Sequence, residues 1–241
     1  MNGLWCEMRT DAIPTDYDTN PGRFRANVES VEKYGLAADV HGEVAQRLAA
    51  EGLEPVLDVG CGEGRLIKPL RARGLPVVGL DNSATMLASI PDPRIRGDAR
   101  RLPFCSDSFG GVAALYMLYH LPEPRDAIAE AYRVLRPGGL FIACAPSRYN
   151  DPELARLLPP SPSPFDAENG PDMVADFFAH VELDRWDAPL VHLPDREALL
   201  LYLRGRQLSD AEIEAAVGSV SVPLSLTKRG VLIVGRKLQR K

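Results

Sequence analysis

The chain has 241 residues, 45% of them hydrophobic and 25% charged, with 20 Gly, 21 Pro and 4 Cys. Size and composition are those of one ordinary globular domain, which excludes a disordered chain, a collagen-like repeat and a disulfide scaffold. Lys and Arg number 28 against 33 Asp and Glu, a formal charge of −5, so the basic balance of a nucleic-acid binder is missing.

The run Met1-Asn2-Gly3-Leu4-Trp5-Cys6-Glu7 lacks the basic start and apolar core of a secretion signal. No apolar run approaches the ~18 residues of a membrane span. Cys6, Cys61, Cys105 and Cys144 show neither a Cys-x-x-Cys pair nor a histidine at metal-ligand spacing, and read as reduced thiols of a cytoplasmic protein. Residues 1–30 are polar and weakly periodic; Val31–Leu48 reads as one or two helices. Strand and helix patterns then alternate. Val56–Val59 is a strand, Gly64–Arg73 a helix and Pro76–Leu80 a strand, and Ser83 caps a helix reaching Leu87. Arg94–Gly97 and Val112–Met117 are the third and fourth strands. In Pro124–Leu135 the stripe Ala127, Ile128, Ala131, Val134, Leu135 marks a helix closed by Pro137-Gly138-Gly139, ahead of a buried strand Leu140–Ala145. The alternation predicts a mostly parallel α/β sheet with helices on both faces.

Residues 146–171 include Leu158-Pro159-Pro160-Ser161-Pro162-Ser163-Pro164, too proline-rich for a helix interior or central strand, and read as an irregular insertion, a lid over the sheet's functional edge. Val181–Trp186 is a strand, and Asp195–Arg204 and Asp210–Val217 are helices. Val222–Thr227 turns at Lys228-Arg229-Gly230 into Val231–Gly235, a closing antiparallel β-hairpin. Lys228, Arg229, Arg236, Lys237, Arg240 and Lys241 read as solvated charges on it.

The sharpest chemical signal is Val56-Leu57-Asp58-Val59-Gly60-Cys61-Gly62-Glu63-Gly64, a glycine loop between a strand and a helix. Gly60 and Gly62 let the backbone turn and approach a ligand closely. The dinucleotide fingerprint fails at its sixth position, which is Arg65, and Glu63 stands where a pyrophosphate would need amides free of like charge. Asp81, twenty-one positions after Gly60, ends the next strand and is placed to accept both hydroxyls of a ribose. A ribose-containing ligand without a pyrophosphate is implied. In Gly97-Asp98-Ala99-Arg100-Arg101-Leu102-Pro103-Phe104, Asp98 can accept from an exocyclic amine while the Ala99 amide donates to a ring nitrogen, the pattern for adenine; alternatively Asp98 caps the loop.

Taken in order, Val56–Gly64, Gly79–Leu87, Gly97–Phe104, Asp107–Leu121 and Arg133–Phe141 resemble class I S-adenosylmethionine-dependent methyltransferases of the small-molecule type. The resemblance covers roughly ninety residues. It implies a Rossmann-like seven-stranded mixed sheet with its last strand antiparallel. By resemblance Asp58, Gly60 and Gly62 line the methionine end of S-adenosylmethionine, Asp81 holds the ribose, Asn82 and Met86 border the adenine, Asp98 and Ala99 recognise its edge, and Leu115 passes close to the sulfonium. Tyr17-Asp18, Arg23-Phe24 and Asn27 resemble the family's N-terminal cover, with Tyr17 a cofactor contact. Where the family has Phe-Asp entering the fourth strand, this chain has Phe109-Gly110-Gly111, and a local loosening is expected. The divisions that follow are 1–50 for N-terminal cover helices, 51–146 for the cofactor-binding core, 147–220 for the insertion and acceptor side, and 221–241 for the closing hairpin.

Methyl transfer from a sulfonium is an in-line displacement that requires alignment and exclusion of water, and a general base only if the acceptor arrives protonated. His120, just past the fourth strand, is the candidate base as a group titrating near neutrality, or else a packing residue that orients the loop. Tyr116 and Tyr119 shape the acceptor pocket or belong to the core, and His41, His180 and His192 read as surface or helix-face residues. No Asn/Asp-Pro-Pro-aromatic motif of base-modifying enzymes occurs at Ala114-Leu115-Tyr116-Met117, and no carboxylates for a hard cation stand there. The reading is a cytoplasmic, metal-independent enzyme, monomer or homodimer, that methylates a small organic acceptor on O, N or C and releases S-adenosylhomocysteine, with no nucleic-acid or membrane partner. The alternatives are an RNA or protein methyltransferase and a protein that binds the cofactor without methyl transfer.

Overall fold

In the computed structural model, which describes residues 21–36 and 39–239, helices α1 (Pro21–Tyr34) and α2 (Val40–Ala50) precede the sheet. The alternating half follows as β1 (Val56–Val59), α3 (Ile67–Ala72), β2 (Val77–Asp81), α4 (Ala84–Leu87), β3 (Arg94–Arg96), β4 (Phe109–Leu115), α5 (Pro124–Val134) and β5 (Leu135–Pro146). The C-terminal half holds α6 (Gly170–Ala175), β6 (His180–Leu193), α7 (Arg196–Arg204), α8 (Asp210–Ser219) and β7 (Leu224–Arg236). The strands form one seven-stranded sheet in the order β3-β2-β1-β4-β5-β7-β6, parallel throughout except for β7, which runs antiparallel to both β5 and β6. This is the mixed Rossmann-like sheet with an antiparallel last strand that the resemblance implied.

Local chemistry explains the elements of the first half. Every residue of β1 and β4 is buried, as in strands covered on both faces. Ser83 Oγ accepts the Met86 amide hydrogen at 3.2 Å and opens α4. In α5 the buried positions are Pro124, Ala127, Ile128, Ala131 and Val134, one helical stripe begun by a proline in the first turn. One core lies between the sheet and α5 and α6, with Ile128, Phe141, Val174 and Phe178; the other lies under α2 and α3, with Leu48, Ile67, Leu70 and Ile142.

A third cluster stands apart from these two. Pairing of β5 with β7 ends at Pro146 opposite Gly230, but β7 continues from Arg229 back to Leu224 against β6 alone. That two-stranded ribbon projects beyond the carboxyl end of β5. Its Val191, Leu193 and Leu226 pack with Leu199, Tyr202 and Leu203 of α7, Ile213 and Ala216 of α8, and Leu154. Helix α1 joins this layer: it packs on α7, and the Leu36 amide donates to Leu190 O at 2.7 Å. By contrast α2 is an ordinary layer helix on the sheet.

Several expectations are corrected. Residues 221–241 are not a hairpin: β7 is one continuous strand through Lys228-Arg229-Gly230. Gly230 is there because the Trp186 ring occupies the place of a Cβ, and Lys228 turns inward to Asp151. The cluster read as solvated charges is engaged instead. Lys237 is 9% exposed and donates to Asp107 Oδ1 (2.9 Å), Tyr132 O (2.8 Å) and Leu135 O (2.6 Å), and Arg229 and Arg236 pair with Asp187 and Glu51; Arg240 and Lys241 lie outside the described residues. The fourth strand begins earlier and ends at Leu115, and helix occupies residues 21–30, which showed only weak periodicity. At Gly110 there is no loosening: a Cβ would sit 2.7 Å from Glu54 N, so the missing side chain permits close backbone packing. The proline run 158–164 stays irregular, between Leu154 and Phe165, both fully packed.

Replacing Lys237 by Met strips donors from two carbonyls and a carboxylate at once. Urea denaturation should show a loss of roughly 2 kcal/mol; a change within about 0.5 kcal/mol, usual for surface sites, would mean the lysine is as dispensable as a solvated one.

Candidate active site

The glycine loop adopts backbone that side chains resist. Gly60, Gly62 and Gly64 have φ of 67°, 52° and 80°, in the left-handed region. At Gly60 a Cβ would also lie 2.7 Å from the Met117 side chain. The loop is stitched to the end of β2: the amides of Gly60 and Cys61 donate to Leu80 O at 2.7 and 3.1 Å. Asp81 Oδ2 accepts the Gly62 amide hydrogen at 2.9 Å, and its Oδ1 accepts that of Ser83 at 2.8 Å. Asp81 therefore holds the loop as well as facing it; the helix cap itself is Ser83. Phe24 of α1 reaches across, its Cζ 3.9 Å from where a Cβ of Gly62 would stand.

Beneath the loop, Asp58 is 3% exposed and its Oδ2 has no hydrogen-bond partner. Burial, and then the nearby charge of Asp81, push its pKa up to about 8. The carboxylate of Asp81, with the Asp58 carboxyl able to ionise beside it, favours a ligand that is cationic at this end and opposes a pyrophosphate. The same burial pushes the Cys61 thiol up, which removes it as a nucleophile.

Toward β3 the expected adenine-edge residues are adjacent, with one complication. Asp98 is bound by Arg100: Oδ1 accepts from the Arg100 amide (2.9 Å) and Nε (3.1 Å), and Oδ2 from a terminal nitrogen of the guanidinium (2.8 Å). That ion pair holds the Asp98 carboxyl below its ordinary range. Asp98 is thus a loop cap here, and any amine it accepts must share its remaining lone pairs. Ala99 and Met86 are buried, and the carbonyl of Asn82 is held by Arg96 Nε at 3.0 Å.

At the end of β4, Leu115 is 7% exposed beside Cys144 of β5. Tyr116 ends the strand with φ 57°, a conformation non-glycine residues adopt at a cost. The turn places Met117 over Gly60 and presents Tyr119 and His120, whose rings lie 4.4 Å apart. His120 is exposed, yet partial desolvation and then the charge of Arg23 lower its pKa to about 4, well away from neutrality. Tyr17 lies outside the described residues.

Two residues with no readable signal, or a misleading one, join the site. Among them His41 is no surface residue: its side chain is 13% exposed, its ring faces Tyr116 at 6.1 Å, and burial lowers its pKa to about 4. Met117 passed for strand. His180 and His192 are exposed on β6. Among the described residues no three His, Cys, Asp or Glu side chains group to hold a metal ion, and no helix is long and apolar enough to cross a membrane.

Two substitutions probe this loop. Gly60→Ala should cost about 1–2 kcal/mol from the left-handed backbone alone, more with the Met117 overlap, in a denaturant titration; an unchanged midpoint would contradict the geometry. Asp58, its folded pKa raised, holds a proton that the unfolded chain releases above pH ~4. Its contribution is full below that pH and is lost as pH rises through about 8. Asp58→Asn should gain stability over the native chain steadily between pH 4 and 8; a pH-independent difference would show the carboxyl to be ionised throughout.

Residues 57–143 match the family model described as a methyltransferase domain. The demethylmenaquinone methyltransferase of Renibacterium salmoninarum is 41% identical over 92 residues, 36% of this chain and 39% of the relative. The malonyl-[acyl-carrier protein] O-methyltransferase of Enterobacter lignolyticus is 34% identical over 113 residues, 45% of each. The ubiquinone biosynthesis O-methyltransferase of Psychrobacter cryohalolentis is 29% identical over 154 residues, 58% of each. The chain thus spans about half the length of the curated relatives it matches. In fold it is similar to the YcgJ protein of Bacillus subtilis (TM-score 0.59, 20% identity, 82% of this chain and 100% of that one). It is also similar to the [4+2]-cyclase SpnF (TM-score 0.58, 18% identity, 94% and 98%). The chain thus carries a methyltransferase domain over 57–143, on a seven-stranded sheet similar in fold to solved methyltransferases.

Proposed function

We propose that the chain transfers a methyl group from S-adenosylmethionine to a small organic acceptor, on oxygen, nitrogen or carbon, without a metal, leaving S-adenosylhomocysteine. The observation that carries this reading is the unpartnered, buried Oδ2 of Asp58 beneath a loop pinned by Asp81. A dinucleotide would bring phosphates to these carboxylates; S-adenosylmethionine would bring an ammonium and a sulfonium instead. When bound, that cofactor supplies a methyl group already activated for displacement.

The residues have distinct tasks in this reading. Asp58, with the backbone of Gly60 and Gly62, receives the cationic methionine end, and Asp81 shares its carboxylate with the ribose hydroxyls. Asn82 and Met86 border the adenine, and Asp98 with the Ala99 amide reads its edge. Leu115 closes the apolar wall beside the reacting centre, while Phe24 and Met117 keep water from the loop. His120, neutral at pH 7, takes a proton from a protonated acceptor. The acceptor is a small molecule: four members of the basic C-terminal cluster are already paired with Asp151, Asp187, Glu51 and Asp107, so a basic face for RNA is not assembled from them. Because SpnF, similar in fold, is a [4+2]-cyclase, cofactor binding without methyl transfer is the second reading, and turnover decides between them.

Calorimetry should detect S-adenosylmethionine binding to the native chain, weakened roughly a hundredfold in Asp81→Ala, as expected for losing two hydrogen bonds to a charged group; equal affinity would remove Asp81 from the site. With an acceptor found by isotopic labelling of metabolite extracts, His120→Asn should lower kcat at unchanged cofactor affinity. The native acid limb of kcat/KM should then fall near pH 4 rather than 6.5. Full activity of the variant would exclude His120 as the base.

A further inference from the structure

We propose that the acceptor is an acid, held through its carboxylate or phosphate by Arg206, with Arg23, in the cavity between α1 and the end of α7. This rests on the methyltransferase reading above and adds the class of acceptor. The cavity, of about 550 Å³, is lined by Arg23, Arg204, Arg206 and Gln207 against a single carboxylate, Asp210, with Leu208 on its apolar side. Its size suits a small organic molecule.

Arg206 is built as a fixed cation whose donors are not all used. Its guanidinium lies 4.2 Å over the Tyr202 ring, and one terminal nitrogen donates to Asn27 Oδ1 at 3.1 Å. The other comes no closer than 3.7 Å to Asp151 Oδ2. Nε is buried without any partner. Asp151 does not bond it: its carboxylate accepts from Tyr202 Oη at 2.5 Å, Asn150 Nδ2 at 3.2 Å and Lys228 Nζ at 2.7 Å. One buried carboxylate therefore faces two cations, and a buried donor left unmade is costly. Nε is shut from solvent while the side chain as a whole is 23% exposed, so an oxyanion arriving from the cavity meets the guanidinium at its terminal nitrogens and supplies the missing charge, and the planar fork of arginine suits carboxylate and phosphate alike.

Arg23 connects the cavity wall to the glycine loop and His120. Arg23 precedes Phe24, which reaches across to Gly62, and the charge of Arg23 is felt at His120. Both arginines act on Tyr119, the residue next to His120. An acid seated on Arg206 would thus extend toward the end of β4 and the glycine loop. Tyr202 and Asp151 are positioning residues, since they orient the guanidinium without reaching the cavity lining.

The test uses the full chain saturated with S-adenosylhomocysteine and three probes of one shape: benzoate, phenyl phosphate and benzamide. Calorimetric or NMR titration should show at least one anion binding at least tenfold more tightly than the neutral amide, and the preferred anion separates a carboxylate from a phosphate acceptor. Arg206→Met should abolish the preference while leaving the S-adenosylhomocysteine affinity unchanged. If that variant does not fold, Arg206→Lys keeps the charge but not the fork and should reduce the preference at least threefold. Equal binding of all three probes, a preference that survives Arg206→Met, or one undiminished in Arg206→Lys would overturn the proposal. Failure of S-adenosylhomocysteine to bind the native chain would instead refute the methyltransferase reading, with the anion preference still read on the ligand-free chain.

Discussion

A single carboxylate organises the parallel half of the sheet. Asp81 accepts the amide hydrogens of Gly62 and Ser83, and in doing so joins the end of β2, the loop after β1 and the start of α4. The loop can reach it only because three glycines take left-handed backbone, and the space above Gly60 is closed by Met117 from the end of β4. Three parallel strands thus converge on one loop through contacts made at their carboxyl ends, where ligands of open α/β sheets bind. The electrostatics follow from this packing. With Asp81 fixed by backbone donors, Asp58 lies close by without a partner for Oδ2, and two acidic side chains stand together at the loop.

The opposite side of the site is made differently. The ribbon of β6 and β7 beyond the end of β5, with α7, α8 and α1, has its own apolar cluster and so can hold charged groups rigidly at its inner surface. The Asp151, Tyr202 and Lys228 network is the clearest case: Lys228, mainly through burial, has its pKa lowered to about 8, yet remains tied to both partners. In the site proposed above the two sides carry opposite electrostatic character, carboxylates at the glycine loop and guanidinium groups in the cavity between α1 and the end of α7. A cationic donor and an anionic acceptor would each find its own side.

The parts legible in the sequence were those fixed by local chemistry. Val56–Val59 is a strand at those bounds, Ser83 caps its helix, and the stripe from Ala127 to Val134 is buried as its spacing required. Asp81 could be singled out because a spacing of twenty-one residues across a βαβ unit is itself a local signal. What failed depended on partners far along the chain. Lys228-Arg229-Gly230 has the composition of a turn, but Asp151, 77 residues away, and Trp186 hold it as strand. Lys237 looked solvated because Asp107, Tyr132 and Leu135 lie more than a hundred residues earlier. Gly110 appeared to be a missing acid, and only its distance to Glu54 shows why a side chain cannot stand there. Arg206 sits in an unremarkable Arg-Gly-Arg segment, and its isolation is a property of the folded network alone.

The central claim is that the glycine loop and its two carboxylates form a site for a cationic ribosyl ligand. Calorimetric titration of S-adenosylmethionine into the full chain at pH 7, in buffers of different ionisation enthalpy, counts the protons exchanged on binding. Asp58, largely protonated in the free protein, must ionise to meet the cationic end, so on the order of one proton should be released per ligand bound. Binding without proton release, or binding of a dinucleotide in preference, would contradict it.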